Sequence, residues 1–330
     1  MLNLNNLIEK IKAVVEKHYL GNGEYARYLW QDESGSRELG KNEYGCADAM
    51  NILYTINAFP KKEERELCLK ALLSLQNSDT GMFTEATHHP IHTTAHCIAA
   101  IELFDETPLY PVKEMESLFT TKGLDGLLDG LDWLNNPWPQ SHQGAGVYVV
   151  GVLTDSITPE WQEHYFNTIY EKTDEKYGMS RRGTLGGKAA LNHHLNGWFH
   201  YMFNMEYAHR PLKYPDRLID TCIDLFDNKG LGKTFGRYVG FAEIDWVFAL
   251  NRATRQTPHR FAEAKDRLRK FAYDFVAYLQ GLDFDTHDGV NDLHMLFGAV
   301  CALAELQSAL PGEIISDKPL RLVLDRRPFI

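Results

Sequence analysis

Residues 61–104 read as three consecutive pieces, KKEERELCLKALLSL (61–75), QNSDTGMFTEATHHPIH (76–92) and TTAHCIAAIELF (93–104). In the first, apolar residues recur at i, i+3, i+4 and i+7 among charged ones, the pattern of a helix with one face in water. The third is apolar, small or aromatic nearly all round, the pattern of a helix with no wet face. Turn-forming Asn, Ser, Asp and Gly and then a histidine-rich run separate the two. The stretch specifies a hairpin of one half-exposed helix and one buried helix.

Outward from this stretch the unit recurs six times at a spacing of roughly 49 residues, the mark of a repeat architecture. The buried segments begin near Asp48, Thr94, Gly144, His194, Asp245 and Asp292, as CADAMNILYTI, TTAHCIAAIELF, GAGVYVVGVL, HLNGWFHYMF, IDWVFALNRA and DLHMLFGAVCALAEL. The charged, amphipathic segments include LNNLIEKIKAVVEKH, PEWQEHYFNTIYEK, YPDRLIDTCIDLF and HRFAEAKDRLRKFAYDFVAYL. The simplest object with that pattern is all-α, an (α/α)6 toroid in which six outer-inner helix hairpins close into a barrel. An open solenoid would need polar terminal caps, and no terminal repeat is atypical.

A length of 330 residues alone would suggest two domains. No Pro/Gly/Ser linker or charge block marks a boundary, so residues 1–330 are expected to form one toroid domain, with 311–330 as an extended C-terminal tail. The alternating PLRLVLDRRPFI of that tail either packs across the base of the ring or contacts a second subunit, which leaves a homo-oligomer open. A net charge of −11 argues against nucleic acid or anionic membrane surfaces as partners. The start MLNLNNLIEK lacks the basic end and apolar run of a signal peptide, and no stretch approaches the roughly 20 apolar residues of a membrane span. Cys46, Cys68, Cys97, Cys222 and Cys301 are dispersed within helical segments, as small buried hydrophobes of a reducing compartment are. A cytoplasmic protein is expected.

The two sets of connections differ in kind. NAFPKK, FDETPLYP, LTDSITPE and ATRQTPH are short turns that reverse the chain. GSRELGKNEYG, NSDTGMFTEATHHPIH, NNPWPQSHQG, DEKYGMSRRGTLGGKAALNHH, NKGLGKTFGRYVGFAE and DFDTHDGVN are longer and carry histidines, aromatics, acids and arginines. Loops that merely connect do not need this inventory. Rings stack on sugar faces while carboxylates, amides and guanidinium groups pair with hydroxyls, so an oligosaccharide is the expected ligand. The N-termini of the buried helices point the same way and favour anionic groups there.

Gln76, Gly81, Phe83, His92, Thr94 and Ala95, within residues 72–104, give that segment a resemblance to one repeat of the terpenoid cyclase and protein prenyltransferase toroids. Through repeat length and loop composition the whole chain resembles the six-hairpin toroids of glycoside hydrolases and polysaccharide lyases. Fold analogy does not choose the reaction.

Hydrolysis of a glycosidic bond needs two carboxyl groups roughly 5 to 9.5 Å apart. Repeats five, six and one supply Asp48, Glu243, Asp245, Asp288 and Asp292, and acid/base hydrolysis of an oligosaccharide is the first expectation. The plainer account of Asp48, Asp245 and Asp292 is acids favoured by helix N-termini. If the sugar is a uronic acid, β-elimination competes. Asn192 with His193 and Arg237 with Tyr238 loosely resemble the set used by toroidal alginate lyases, against a bland reading of Asn192 as a helix cap. Substrate contacts are expected from Tyr44, His88, His92, Trp138, His142, Gln143, Arg181, Arg182, Asn192, Arg237 and Trp246.

His92 and His96 stand at i, i+4, as two metal ligands on one helix face can, with Glu85 as a nearby oxygen. No Cys-x-x-Cys or His-Glu-x-x-His accompanies them, so no metal and no cofactor is expected. The run from Asp283 to Asp288 is a degraded form of the acidic motif of cyclases that protonate an alkene, but the loops are polar for a hydrocarbon cavity. A non-catalytic toroid holding a glycan or a protein is the remaining alternative.

Overall fold

The computed structural model describes residues 1–180 and 187–330, and the chain is all-α. In order the helices are α1 (Asn5–Lys17), α2 (Glu43–Thr55), α3 (Lys62–Leu73), α4 (Pro90–Glu102), α5 (Thr121–Gly130), α6 (Pro137–Leu153) and α7 (Pro159–Lys172). There follow α8 (Leu191–Tyr207), α9 (Pro215–Asp227), α10 (Ala242–Thr254), α11 (Phe261–Gly281), the short α12 (Asp288–Asn291), α13 (Leu293–Ala309) and the single turn α14 (Val323–Arg326).

The two helix classes read from the sequence are both present. α9, for example, buries Leu218, Ile219, Thr221, Cys222, Ile223 and Leu225 and leaves its acids in water, whereas α2, α4, α6, α8, α10 and α13 are buried on nearly every side. α2 packs against α4 and α13, α4 against α6, α6 against α8, α8 against α10, and α10 against α13. α1 and α3 cover α2, while α9 and α11 cover α10. No helix among the described residues is long and apolar enough to cross a membrane.

Five of the six buried helices start earlier than their apolar runs suggest, because polar residues and proline open most of them. Asn42 caps α2 by accepting from the Tyr44 amide at 2.9 Å; Pro90 and Pro137 take first-turn positions in α4 and α6, where a missing N–H costs nothing. Asp48 therefore lies one turn inside α2 and is no terminal acid, and Asn192 lies inside α8 and does not cap it.

The segment that resembles a cyclase repeat is scaffolding. Gln76 Nε2 donates to the carbonyls of Gly81 (2.9 Å) and Tyr110 (2.8 Å), and its Oε1 accepts from the Tyr110 amide, so one buried amide ties two loops together. Thr94 Oγ1 accepts from the Phe83 amide at 3.0 Å, which pins the buried Phe83 over α4. Gly81 has φ +77°, and a Cβ there would sit 1.9 Å from the Pro111 carbonyl oxygen. Gly81→Ala is expected to destabilise the protein by about 1–3 kcal/mol, seen as a lower denaturant midpoint at unchanged slope.

Two small strand pairs finish the fold: β1 (Leu2–Asn3) lies parallel to β4 (Ile314–Ile315), and β2 (Tyr19–Gly21) antiparallel to β3 (Glu24–Tyr25). The C-terminal segment is thus only partly extended. After β4 it crosses the C-terminal ends of the buried helices, where the Arg321 amide donates to Thr55 O, Arg326 holds Glu102 and Asp105, and Asp325 holds Arg252 at 2.6 Å. α14 packs on α8 and α2, and Arg327, Phe329 and Ile330 beyond it are buried.

Candidate functional site

At the N-terminal halves of the buried helices lies a cavity of about 270 Å³ lined by His88, His92, His142, His200 and His294, with Arg27, Trp138, Phe241, Met295 and Ile330 completing its wall. Four elements deliver the imidazoles. His92 follows Pro90 in the first turn of α4, with His88 just before that helix; His142 comes from α6, His200 from the middle of α8 and His294 from the first turn of α13. The rings of His88 and His92 stack at 4.9 Å, His92 and His142 lie 4.4 Å apart, and His142 meets His200 edge-on at 4.7 Å.

Behind this wall, Asp48 is fully buried between two imidazoles. Its Oδ1 is 2.7 Å from His96 Nε2 and its Oδ2 is 2.9 Å from His294 Nδ1. Burial pushes the Asp48 carboxyl up, but the two histidines overcome this and hold it well below the usual carboxylate range. Burial lowers both histidines, against the pull of Asp48. The state at neutral pH is an ionised carboxylate accepting one N–H from each of two neutral imidazoles. That fixes the tautomers: His294 carries its proton on Nδ1, and the Nε2 lone pair is left on the side of the ring away from Asp48.

The other imidazoles are also oriented. Ser141 Oγ donates its one proton to the Trp138 carbonyl at 2.6 Å, so the 2.9 Å contact with His200 Nδ1 is a donation from the ring. Burial drives His200 to about 3 and puts His92 and His142 well below the ordinary imidazole value, so these rings are neutral. Tyr44, whose hydroxyl burial keeps protonated, lies against His92 Nδ1. His88 Nδ1 meets Glu85 Oε1 at 3.0 Å.

A second cavity of about 680 Å³ is lined by Arg37, Tyr238, Asp283, Thr286, His287, Asp288, Asp292 and Met295. Met295 borders both spaces, and a buried pair joins their walls: Arg27 Nε and Nη2 donate to Asp292 at 2.8 and 2.9 Å. Asp292 also caps α13 by accepting from the His294 amide. Arg37 grips Asp288 with two 2.7 Å bonds.

Of the residues expected from the sequence, His88, His92, Trp138 and His142 line the first cavity, with Tyr44 and Asp48 directly behind it, while Asp288, Asp292 and Tyr238 line the second. Glu243 and Asp245 are fully buried in the first turn of α10 and are among the lining residues of neither. The Glu243 carboxylate accepts from the Gly236 amide, and burial pushes it to about 7.

Trp246 is a core residue and no sugar platform: its ring lies among Phe226, Phe235 and Phe271 and its Nε1 donates to Cys222 O, because α10 turns this side toward α9. His193 is exposed, 6.2 Å from Trp138, whereas Tyr238 stands at the other cavity, so the pair expected for elimination is not assembled. Asn192 and Gln143 are half-buried and Arg237 is exposed, and none of the three lines either space. Arg181 and Arg182 lie outside the described residues.

Arg27, His200, His294 and Phe241 escaped sequence reasoning. A lone histidine inside WFHYMF or DLHMLF looks like core, and only the Asp292 cap two residues before His294 marks the start of that helix.

Asp48, His96 and His294 also place donor atoms within 4.8 Å of one another, close enough for a metal. Metal-bound histidines pass their other N–H to an acceptor. His96 Nδ1 is buried with no partner, so metal binding through Nε2 would strand a buried donor, whereas the hydrogen-bonded arrangement leaves only an unpaired lone pair there. The donor set fits the hydrogen-bonded triad better than a metal centre. The chain matches no family model, no curated protein and no solved structure, so the reading of the site rests on its own chemistry.

Proposed function

We propose that the six hairpins form an (α/α)6 toroid whose histidine-lined cavity cleaves an oligosaccharide by β-elimination beside a uronic carboxylate. The packing order α2, α4, α6, α8, α10, α13 and back to α2 supports the toroid. The observation that carries the chemistry is the Asp48–His294 pair, a neutral imidazole held in one tautomer by a buried carboxylate at the wall of a cavity. Such a base accepts a proton through Nε2, and the carboxylate stabilises the imidazolium that forms.

In elimination the carbon next to the sugar carboxylate loses its proton to Nε2, the carbon–oxygen bond one carbon further breaks, and a double bond forms between the two carbons. The departing oxygen takes a proton back from the imidazolium or from water and ends as a hydroxyl, which returns His294 to its neutral form. Arg27 puts fixed positive charge on the cavity wall, although Asp292 shares it, and Trp138 offers a ring face for a sugar. The cavity volume suits about one sugar ring, with the second cavity on the far side of the Arg27–Asp292 pair for the rest of the chain.

A second reading, hydrolysis, would draw on Glu243, which burial raises to about 7 as a general acid requires but which lines neither space. Incubation with uronic-acid oligosaccharides separates the two. Elimination gives ultraviolet absorbance from the new double bond together with new reducing ends, and reducing ends without absorbance mean hydrolysis. Binding with neither signal across a broad glycan panel would leave a glycan-holding module. All five cysteines are buried and unpaired, in keeping with a cytoplasmic location and an imported oligosaccharide as substrate.

A further inference from the structure

The C-terminal segment carries a charge into the middle of the helices. Arg327 is fully buried, with its guanidinium 5.2 Å from the Phe297 ring, which itself lies 6.0 Å from His96. Nη1 donates to the Phe329 carbonyl, while Nε and Nη2 are buried with no partner, and no described carboxylate is in ion-pair contact with it. The three basic residues nearest along the chain or at the base are all paired: Arg326 with Glu102 and Asp105, Arg321 over Tyr54, and Arg252 with Glu305. A buried cation without a contact partner needs a counter-charge in the same low-dielectric space.

We propose that Arg327 is the counter-charge of Asp48 and, through it, a positioning residue for His294. Asp48 is a fully buried carboxylate held ionised with no cationic partner of its own, since both its neighbours, His96 and His294, are neutral rings, whereas burial pushes the unpaired carboxyls of Glu243 and Asp245 up towards the neutral acid. The charges agree with this pairing: Asp48 favours the charged form of Arg327, and Arg327 disfavours protonation of His96. The other titratable or charged groups that face the triad are Tyr44 on α2 and His92 on α4, whose rings lie against His96 and His294, His88 before α4, Arg27 ahead of α2 with its own partner Asp292, and Cys301 on α13; burial keeps the Tyr44 hydroxyl and the Cys301 thiol protonated and His92 neutral. The cluster is then neutral overall, one carboxylate and one guanidinium, with the imidazoles free of charge.

Removing the guanidinium removes a cation that favours ionised Asp48 and disfavours protonated imidazole, so both act in one direction and the triad takes up a proton more readily. The electrostatic pairing stands independently of the elimination reading; the positioning of a base rests on that reading.

The test is nitrogen-15 NMR of the imidazoles across pH in the full chain. Arg327→Met is expected to raise the apparent pKa of the His96/His294 pair by roughly one unit or more, and Arg327→Lys, which keeps the charge, to stay close to the parent. Where elimination is active, the acid limb of the pH–rate profile moves up by the same amount in the Met protein and not in the Lys protein. A folded Arg327→Met protein whose imidazole titrations superimpose on the parent's overturns the pairing; a shifted titration with an unmoved acid limb overturns only the positioning of His294. If Arg327→Met does not fold, thermal melting and soluble yield of Asp48→Asn, Arg327→Met and the double variant decide. The double variant is expected to recover much of what the Arg327→Met protein loses, and strictly additive losses overturn the proposal.

Discussion

The His294→Gln protein is expected to fold as the parent does and to lose about 10³- to 10⁴-fold of its elimination rate, the contribution of a positioned general base and its orienting carboxylate. Glutamine retains a hydrogen bond to Asp48 but has no nitrogen that can take a proton. Asp48→Asn tests the same unit from behind. An amide can accept through only one oxygen where the carboxylate accepts from His96 at 2.7 Å and from His294 at 2.9 Å, so at least one ring must turn or change tautomer. A loss of similar size is expected, and because the two residues act together, the double variant should be little worse than either single one. The measurement is initial rate of double-bond absorbance on a uronic-acid oligosaccharide. Near-parental rates in the folded His294→Gln protein would sink the assignment of the base.

The second large effect concerns stability. Glu305 is fully buried in α13, and its carboxylate takes two parallel bonds from Arg252 (2.7 and 2.8 Å) and a third from Asn251 Nδ2 (2.6 Å). Breaking a buried pair by removing one partner costs about 3–5 kcal/mol, mainly because the other charge is left behind. Glu305→Ala is expected to reach that range, with Asp325 at 2.6 Å and Glu206 at 3.3 Å from Arg252 softening the loss.

The same group makes the fold acid-sensitive. Burial raises the Glu305 carboxyl, but Arg252 outweighs this and its pKa in the folded chain is lowered. A depressed folded value means stability that is fully present above the unfolded glutamate value of about 4.3 and is lost as pH falls through the folded value. Thermal melts of parent and Glu305→Ala between neutral pH and about pH 3 should therefore converge; a gap that stays constant over that range would remove Glu305 from the account.

Much of the helical layout was legible because burial on every side and burial on one stripe leave different periodicities. Helix starts were less so: prolines and caps extend α4 and α6 beyond their apolar runs, and a reading keyed to hydrophobicity cannot see them. The site was legible in part for the same reason. The histidine-rich run before α4 and Trp138 stood out in loops, and Asp48 was a conspicuous acid at the head of an apolar run. What Asp48 touches was not readable, since His294 is 246 positions away and only packing brings them together. Trp246 failed through rotation: its place near the head of α10 is periodic knowledge, but which neighbour its side chain meets depends on how α10 rolls against α9.

The route of the C-terminal segment also orders assembly. Residues 327–330 sit among helices that are all translated before them, and they reach that position by crossing the ends of α2, α4 and α10. A chain in which those helix ends have not yet come together offers residues 327–330 no seat, so the hairpins must pair before this segment docks. Docking of that segment then brings the Arg327 cation into the interior together with the apolar side chains of Phe329 and Ile330.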